Sequence, residues 1–194
     1  MDENDKNMEG FIPKHGGYRK LITYQKAEII YDGTIYFTKR VFDKYDRTID
    51  QMVQAARSGK QNIAEASMAS ATSKEMEIKL TNVARASLEE LKIDYEDFLR
   101  SHKYELWEKD NRLVARLREL NRIPNPTYDT FKKGIENENI EISANVMIGL
   151  IKVVSYLLNK QIKSLEAAFI KEGGLRERMT KARIDYRNKD KNDK

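Results

Sequence analysis

The chain has no cysteine, and proline, glycine and histidine are scarce, with three, nine and two residues among 194. The absence of cysteine excludes disulfides, thiol nucleophiles and cysteine-ligated zinc, and it permits a reducing compartment. Because proline and glycine are so few, long stretches carry no helix breaker. These absences favour a mainly helical protein.

The shortage of histidine also limits the chemistry. Di-iron sites in helical bundles need Glu-x-x-His pairs on two helices, and the chain has only His15 and His102. No histidine is placed to activate a serine nucleophile. The glycine pairs at 16–17 and 173–174 lack the Lys and Ser/Thr of a phosphate-binding loop. We therefore predict no catalytic residue, no metal site and no cofactor.

Long hydrophobic runs are missing as well. The longest uncharged, largely apolar stretch covers 142–151 and ends at Lys152, well short of the ~20 residues that cross a bilayer. The first ten residues are acidic and polar, unlike the start of a secretory signal. We expect a soluble, cytoplasmic protein without a membrane partner.

Charge is abundant, and its positive excess lies near the end of the chain. The formal net charge is +5, and eight basic residues against four acidic ones follow Gly174. Such a tail suits binding to nucleic acid, although charged tails are also commonly just solvated, and we weigh the two interpretations evenly.

A second basic group is interleaved with tyrosines near residue 20, where cations could neutralise phosphates while aromatic rings stack on bases. Tyrosines at helical spacing are, however, more often packing residues. The candidate nucleic-acid-binding residues are Arg19, Lys20, Lys26, Arg176, Arg178, Lys181, Arg183 and Arg187.

Apolar residues recur at helical spacing in four long segments. The pattern predicts helices over 18–42, from about 46 to a turn at 67–73, from there to about 100, and over 142–172. Thr72 and Glu75 have the spacing of a capping box for the third helix. We predict an all-α fold, an up-and-down four-helix bundle over 18–174, after a disordered lead at 1–17.

The remaining segments are less regular. Residues 102–140 are predicted to be an insertion between helices 3 and 4, with one amphipathic helix over Leu106–Leu120 that the Pro124-Asn125-Pro126 run ends. The rest of the insertion is predicted to be loop or short helix. Residues 175–194 are predicted to be a basic tail with a short helix at its start. The fourth bundle helix carries two apolar stripes, and the second stripe is equally suited to covering the insertion and to a subunit interface.

Two segments carry a more specific signal. Residues 58–67 read S-G-K-Q-N-I-A-E-A-S, and residues 84–91 read A-R-A-S-L-E-E-L. They resemble the S-x-x-x-N-I-A-E-G-S and A-R-x-S-L-x-E-L segments of the four-helix-bundle proteins encoded in intervening sequences of bacterial ribosomal RNA genes. Ala66 stands where that family usually has glycine. The insertion and the basic tail look like features of a variant with a C-terminal extension.

This resemblance implies an up-and-down bundle that assembles with copies of itself into a ring, commonly a pentamer. A related branch is similar to the accessory proteins of diversity-generating retroelements, which bind nucleic acid and a reverse transcriptase through a basic surface. No enzymatic activity is implied. The leading hypothesis is a non-enzymatic, homo-oligomeric scaffold that binds RNA or DNA. The alternative is a protein-interaction scaffold that uses the spare apolar face of the fourth helix.

Polar residues of the two signature segments lie on helices that a tight turn joins. A cross-helix polar network is open to them, and such a network can fix the register of two helices. The alternative is a ligand site made by Asn62, Glu65 and Arg85; the structural role is the favoured one. The predicted network residues are Asn62, Glu65, Arg85, Ser87 and Glu89.

Overall fold

A computed structural model describes residues 17–192, without the side chains of 172 and 189–192. A single 3-10 turn (Tyr18–Lys20) is followed by seven α-helices: α1 (Ile22–Val41), α2 (Arg47–Ala69), α3 (Lys74–Ser101), α4 (Arg112–Leu120), α5 (Tyr128–Ile135), α6 (Ile140–Glu172) and α7 (Leu175–Asn192). Residues 17–192 contain no β-strand. The prediction of an all-α fold is confirmed. The predicted disordered lead lies, except for Gly17, outside the described residues.

Four long helices, α1, α2, α3 and α6, pack side by side. Each runs alongside two of the others, so that α1 and α3 both lie against α2 and α6 and face each other across the core. An aromatic cluster near the ends of α1 and α3 joins the Phe37 ring to those of Tyr95 and Phe98, with centroids 4.9 and 5.1 Å apart. The Tyr95 hydroxyl donates to Thr34 Oγ1 at 3.2 Å, which satisfies a polar atom inside the core. α1 and α3 therefore end at the same end of the molecule.

Polar side chains set where the helices begin. The Asp46 carboxylate accepts from the Thr48 amide at the start of α2, and the Ser73 hydroxyl accepts from the Met76 amide at the start of α3. The predicted capping box at Thr72 and Glu75 is wrong by one residue. Ser73 has the extended backbone of an N-cap, whereas the Thr72 hydroxyl lies in the turn and donates back to the Ala69 carbonyl.

The segment between α3 and α6, residues 102–139, contains two short helices, the second of them in the stretch that was predicted to be loop or short helix. α4 begins only after Asn111, whose side chain accepts from the Leu113 amide, so Leu106 lies in the loop before it. Both α4 and α5 contact α6, and α5 also contacts α1. We call residues 102–139 the insert. Its helices cover the outer side of α1 and α6.

The two apolar stripes of α6 have different surroundings along its length. In its first half both stripes are buried, because the insert covers the second one: Val146 lies against Gly134 of α5, and Gly149 against Leu117 of α4. In the second half Ile162 and Leu165 are half-buried, and Ile170 is 85 % exposed. The stripe that contains Val146 thus faces the insert. The other stripe, which runs from Met147 through Leu158 to Ile162 and Leu165, faces the core first and becomes partly exposed in the second half of α6.

α6 also has a bearing on the expected solubility. Between Ile140 and Asn188 there is a window long and apolar enough, by length and composition alone, to cross a membrane, and half of that window is buried inside the protein. Core helices of soluble proteins pass the same test, so the structure is compatible with a soluble protein. The cytoplasmic location stays a prediction.

Candidate nucleic-acid interface

The C-terminal helix α7 is the most basic element of the chain. It runs to Asn192 and is longer than the predicted short helix, with seven basic and three acidic residues. Among the described residues it packs along none of the other helices. The five basic side chains that were predicted to bind nucleic acid are all exposed: Arg176, Arg178, Lys181, Arg183 and Arg187.

The positions of these cations along α7 define two sides of the helix. Arg176, Arg183 and Arg187 are separated by seven and four residues and therefore share one face. Arg178 and Lys181 lie on the opposite side. Between them runs an apolar stripe in which Met179 and Tyr186 are exposed. The helix thus presents cations on two sides of a short apolar stripe.

The start of α7 lies beside the start of α3. The hydrogen bond and the charge of Lys79 lower the pKa of the Glu75 carboxyl, and the charge of Arg176 adds to the same shift. Arg19 and Lys20 lie at this end of the molecule too. α1 and α2 run antiparallel, with Lys60 Nζ 4.2 Å from the Tyr31 ring centroid, so the turn before α1 contacts the end of α2 that leads into α3. Both are exposed, and the Arg19 guanidinium lies over the Tyr18 ring, 5.5 Å from its centroid.

The prediction for Lys26 is wrong, because this residue is 1 % exposed. Its Nζ donates to Asn121 Oδ1 at 2.7 Å and to the Asn121 carbonyl at 3.4 Å, and it lies 5.3 Å from the centroid of the Phe131 ring. Burial lowers the pKa of Lys26 from its usual 10.5 to about 8. No carboxylate of the described residues pairs with it. Lys26 joins α1 to the insert, and its ammonium group is too deeply buried to contact a phosphate.

The sequence did contain a signal for this burial. Lys26 lies four residues before Ile30, on the same stripe that continues through Thr34 and Phe37 into the core. A lysine on an apolar stripe is expected either to reach water or to find a buried partner. The partner is Asn121, ninety-five positions away, and helical spacing cannot reveal it.

The predicted polar network is present only in part. Ser87 Oγ of α3 lies 2.9 Å from Ser58 Oγ of α2, and Asn62 Nδ2 donates to Ser58 Oγ at 3.2 Å and to its carbonyl at 2.9 Å. Ser58 was missed, although it begins the first signature segment. Beside it, Leu88 packs onto Gly59, where a Cβ would lie 2.8 Å from a Leu88 methyl. The signature segments thus meet at the α2–α3 contact.

The structure does not bring the other three predicted residues into this network. Arg85 donates to Asn82 one turn back on α3, and Glu89 pairs with Lys92 on the same helix. Glu65 is exposed on α2. The five residues therefore do not form one cross-helix network, and the alternative of a ligand site at Asn62, Glu65 and Arg85 stays a prediction. Arg85 and Glu89 both find their partners within one turn of α3 rather than on α2.

The insert encloses a feature that sequence analysis did not predict. Two cavities of ≈370 and ≈380 Å³ lie on either side of α4, and Trp107 and Leu117 line both. Among the described residues, no group of three or more His, Asp or Glu side chains converges as a metal site.

Models of protein families, curated proteins and solved structures give no match to this chain. The resemblance to the intervening-sequence proteins therefore depends on the two signature segments alone and stays a prediction.

Proposed function

We propose that this protein is a non-enzymatic scaffold that binds RNA or DNA through α7. In this proposal the four long helices are an up-and-down four-helix bundle, and the insert between its third and fourth helices covers one side. The observation that carries the proposal is the isolation of α7, an 18-residue helix rich in exposed arginine and lysine that packs along no other described helix.

The length of α7 suits a nucleic-acid backbone. Eighteen helical residues extend ~27 Å, so cations on one face can reach several successive phosphates. Neutralising phosphates releases counterions, which gives strong and salt-dependent binding without reading the sequence. Arg19 and Lys20 add positive charge at the same end of the molecule. We therefore expect binding that depends more on charge than on base sequence.

The open half of α6 supports self-association. Phe169 and Ile170 are exposed on a helix whose first half is core, and large exposed apolar patches mark interaction sites. We propose that this half of α6 packs against further copies of the chain, the pentameric ring being the form that the family resemblance implies. A ring would place several copies of α7 together and raise the avidity for a long nucleic acid.

The nucleic-acid proposal is tested by fluorescence anisotropy with labelled single-stranded RNA and double-stranded DNA over a range of salt concentrations. The variant R176Q/R183Q/R187Q removes three cations from one face of α7. Because each phosphate contact adds about 0.7 to 0.9 to the logarithmic salt slope, the slope should fall by about 2 to 3.

The matched control is K39Q/K44Q/R47Q, which removes the same charge from exposed residues around the α1–α2 loop. It should leave the salt slope close to that of the wild type. Absence of salt-dependent binding of the wild-type protein to either nucleic acid would refute the proposal. An equal loss in both variants would show that net charge matters and α7 does not.

Self-association is tested by light scattering on the wild type and on I170E. The charge on the open half of α6 should lower the assembled mass, while I123E in the insert, where Ile123 is also exposed, should not. A monomeric wild type would contradict self-association. In that case the exposed Phe169 and Ile170 would favour the second candidate function, docking of a different protein on α6.

A further inference from the structure

A cavity lies between the first part of the insert and α6. Trp107, Val114 and Leu117 from the insert and Ile148, Gly149 and Val153 from α6 form its walls, which are almost entirely apolar. Its volume of ≈370 Å³ is within the range of small-molecule sites. An open apolar cleft of this size exposes carbon surface to water, which a ligand with an apolar body would cover.

The charged groups at this cavity are mainly of one sign. Lys109, Arg118 and Lys152 contribute to its lining, against one acid, Glu108. Arg118 donates to the Lys109 carbonyl at 3.2 Å, which holds its guanidinium beside Lys109. Among the described residues, none of these three cations forms an ion pair with a carboxylate. These three cations would attract the negative charge of a ligand bound in the cavity.

The neutral polar groups of the cavity are already engaged. Asn145 Oδ1 accepts from the Trp107 amide at 2.8 Å, and its Nδ2 donates to the carbonyls of Glu105 and Glu141. The Asn121 oxygens accept from Lys26. Recognition is therefore left to apolar contact inside the cavity and to positive charge around it.

We propose that this cavity binds a small amphipathic organic acid, one carboxylate on an unbranched apolar body, such as a medium-chain fatty acid. The apolar chain lies between Trp107 and Val153, and the carboxylate meets Arg118 and Lys152. This proposal is independent of nucleic-acid binding, because no α7 residue lines the cavity.

The second cavity is a weaker match for the same ligand. It is lined by Arg116 and Lys133, but the Arg116 guanidinium is paired with Glu119 at 2.8 Å. Thr130 and Asn137 also make its wall more polar. The first cavity therefore combines the more apolar wall with the larger number of unpaired cations.

Trp107 is the only tryptophan of the chain and provides a reporter for the test. The full-length protein is titrated with decanoate and, separately, with decanol, while the tryptophan emission is followed. Decanoate should shift the emission saturably. R118Q/K152Q should weaken decanoate about tenfold, the effect of losing two solvent-exposed charge contacts, and should leave decanol unchanged.

The matched control is R116Q/K133Q, which removes two cations from the second cavity. V153F, which fills the first cavity, should abolish the response to decanoate, and circular dichroism checks that each variant stays helical.

The proposal is overturned if decanoate gives no saturable shift, or if R118Q/K152Q binds it as tightly as the wild type. It is also overturned if R116Q/K133Q gives the larger loss, which would place the ligand in the second cavity. If an oligonucleotide shifts the emission in an Arg118- and Lys152-dependent way and decanoate does not, the cavity is part of the nucleic-acid interface.

Discussion

Lys26 lies in an environment that disfavours its charged side chain. An ammonium group without a carboxylate partner is buried between α1 and the insert, with one asparagine and one aromatic ring beside it. Burial disfavours its charged form, and the lowered pKa of about 8 expresses that penalty. The charged lysine therefore opposes folding at neutral pH, and the Asn121 oxygen only partly compensates.

The pH dependence of stability should reveal this lysine. The folded protein releases the Lys26 proton near pH 8, while the unfolded chain keeps it to about pH 10.5. The unfolded state thus binds more protons in this window, and stability rises with pH. The free energy of unfolding of the wild type should increase by ~3 kcal/mol relative to K26M as the pH passes through the window.

Urea unfolding at several pH values measures this difference, and tyrosine ionisation cancels because both proteins share it. The control K39M alters an exposed lysine of the same helix and should show no such slope. A wild type that loses stability relative to K26M between pH 8 and 10.5 would contradict the buried position.

A second prediction concerns the polar contact between α2 and α3. S87A removes the buried partner of the Ser58 hydroxyl and should lower the free energy of unfolding by about 1 kcal/mol. E65A alters an exposed residue of the same signature segment and should change it by less than about 0.5 kcal/mol. Urea midpoints compare the two variants, and a larger effect from E65A would restore the sequence-based network.

At the scale of elements, α4 has the least support from its neighbours. Leu117 is its only buried residue, and it fits against α6 where Gly149 has no side chain. A Cβ at Gly149 would overlap a Leu117 methyl and come closer to it than two non-bonded carbon atoms can. With a cavity on each side, α4 is attached to α6 mainly through this one contact.

The contact between Leu117 and Gly149 can be tested by a double-mutant cycle. Alanine at position 149 gains ~1 kcal/mol of helix propensity, but the clash with Leu117 should cost about 1 to 3 kcal/mol. G149A should therefore displace α4 and speed amide exchange in residues 112–120. In G149A/L117A the clash is gone, so the double mutant should lose at least ~1 kcal/mol less than the sum of the single variants. Additive losses would contradict the contact.

The long helices were predictable because their apolar residues repeat over many turns. The predicted start of α6 at 142 lies two residues from the observed start at Ile140. α5 was left open as loop or short helix, since eight residues are too few to establish a period. The cavities and the position of Lys26 depend on how the insert packs on α1 and α6, and these contacts between distant segments leave no local pattern.

At the scale of the whole molecule, most of the net positive charge is separated from the core. α6 has 33 residues and extends ~50 Å. α7 follows its end, begins beside the start of α3 and packs along none of the other described helices. The densely packed part of the molecule and the basic part are thus different regions. Substitutions or deletions in one region should therefore leave the structure of the other region unchanged.

Removal of α7 should therefore leave the rest folded. A chain that ends at Gly174 loses mainly exposed side chains, and its free energy of unfolding should change by less than about 1 kcal/mol. A chain that ends at Leu158 also loses the half-buried Ile162 and Leu165 and should be clearly less stable. Thermal unfolding measures both, and a large loss in the first chain would show that α7 packs on the core.

The contact between Lys26 and the insert makes the position of the insert depend on the pH of the solution. If α4 and α5 leave α1, water reaches the ammonium group and its pKa returns towards 10.5, so at pH 9 the opened form takes up a proton. Acidification from pH 10 towards 8 therefore favours opening, and alkaline solution keeps the insert closed. Rates of amide exchange in residues 112–135 at two alkaline pH values, corrected for intrinsic exchange, give the free energy of opening, and its change with pH gives the number of protons taken up.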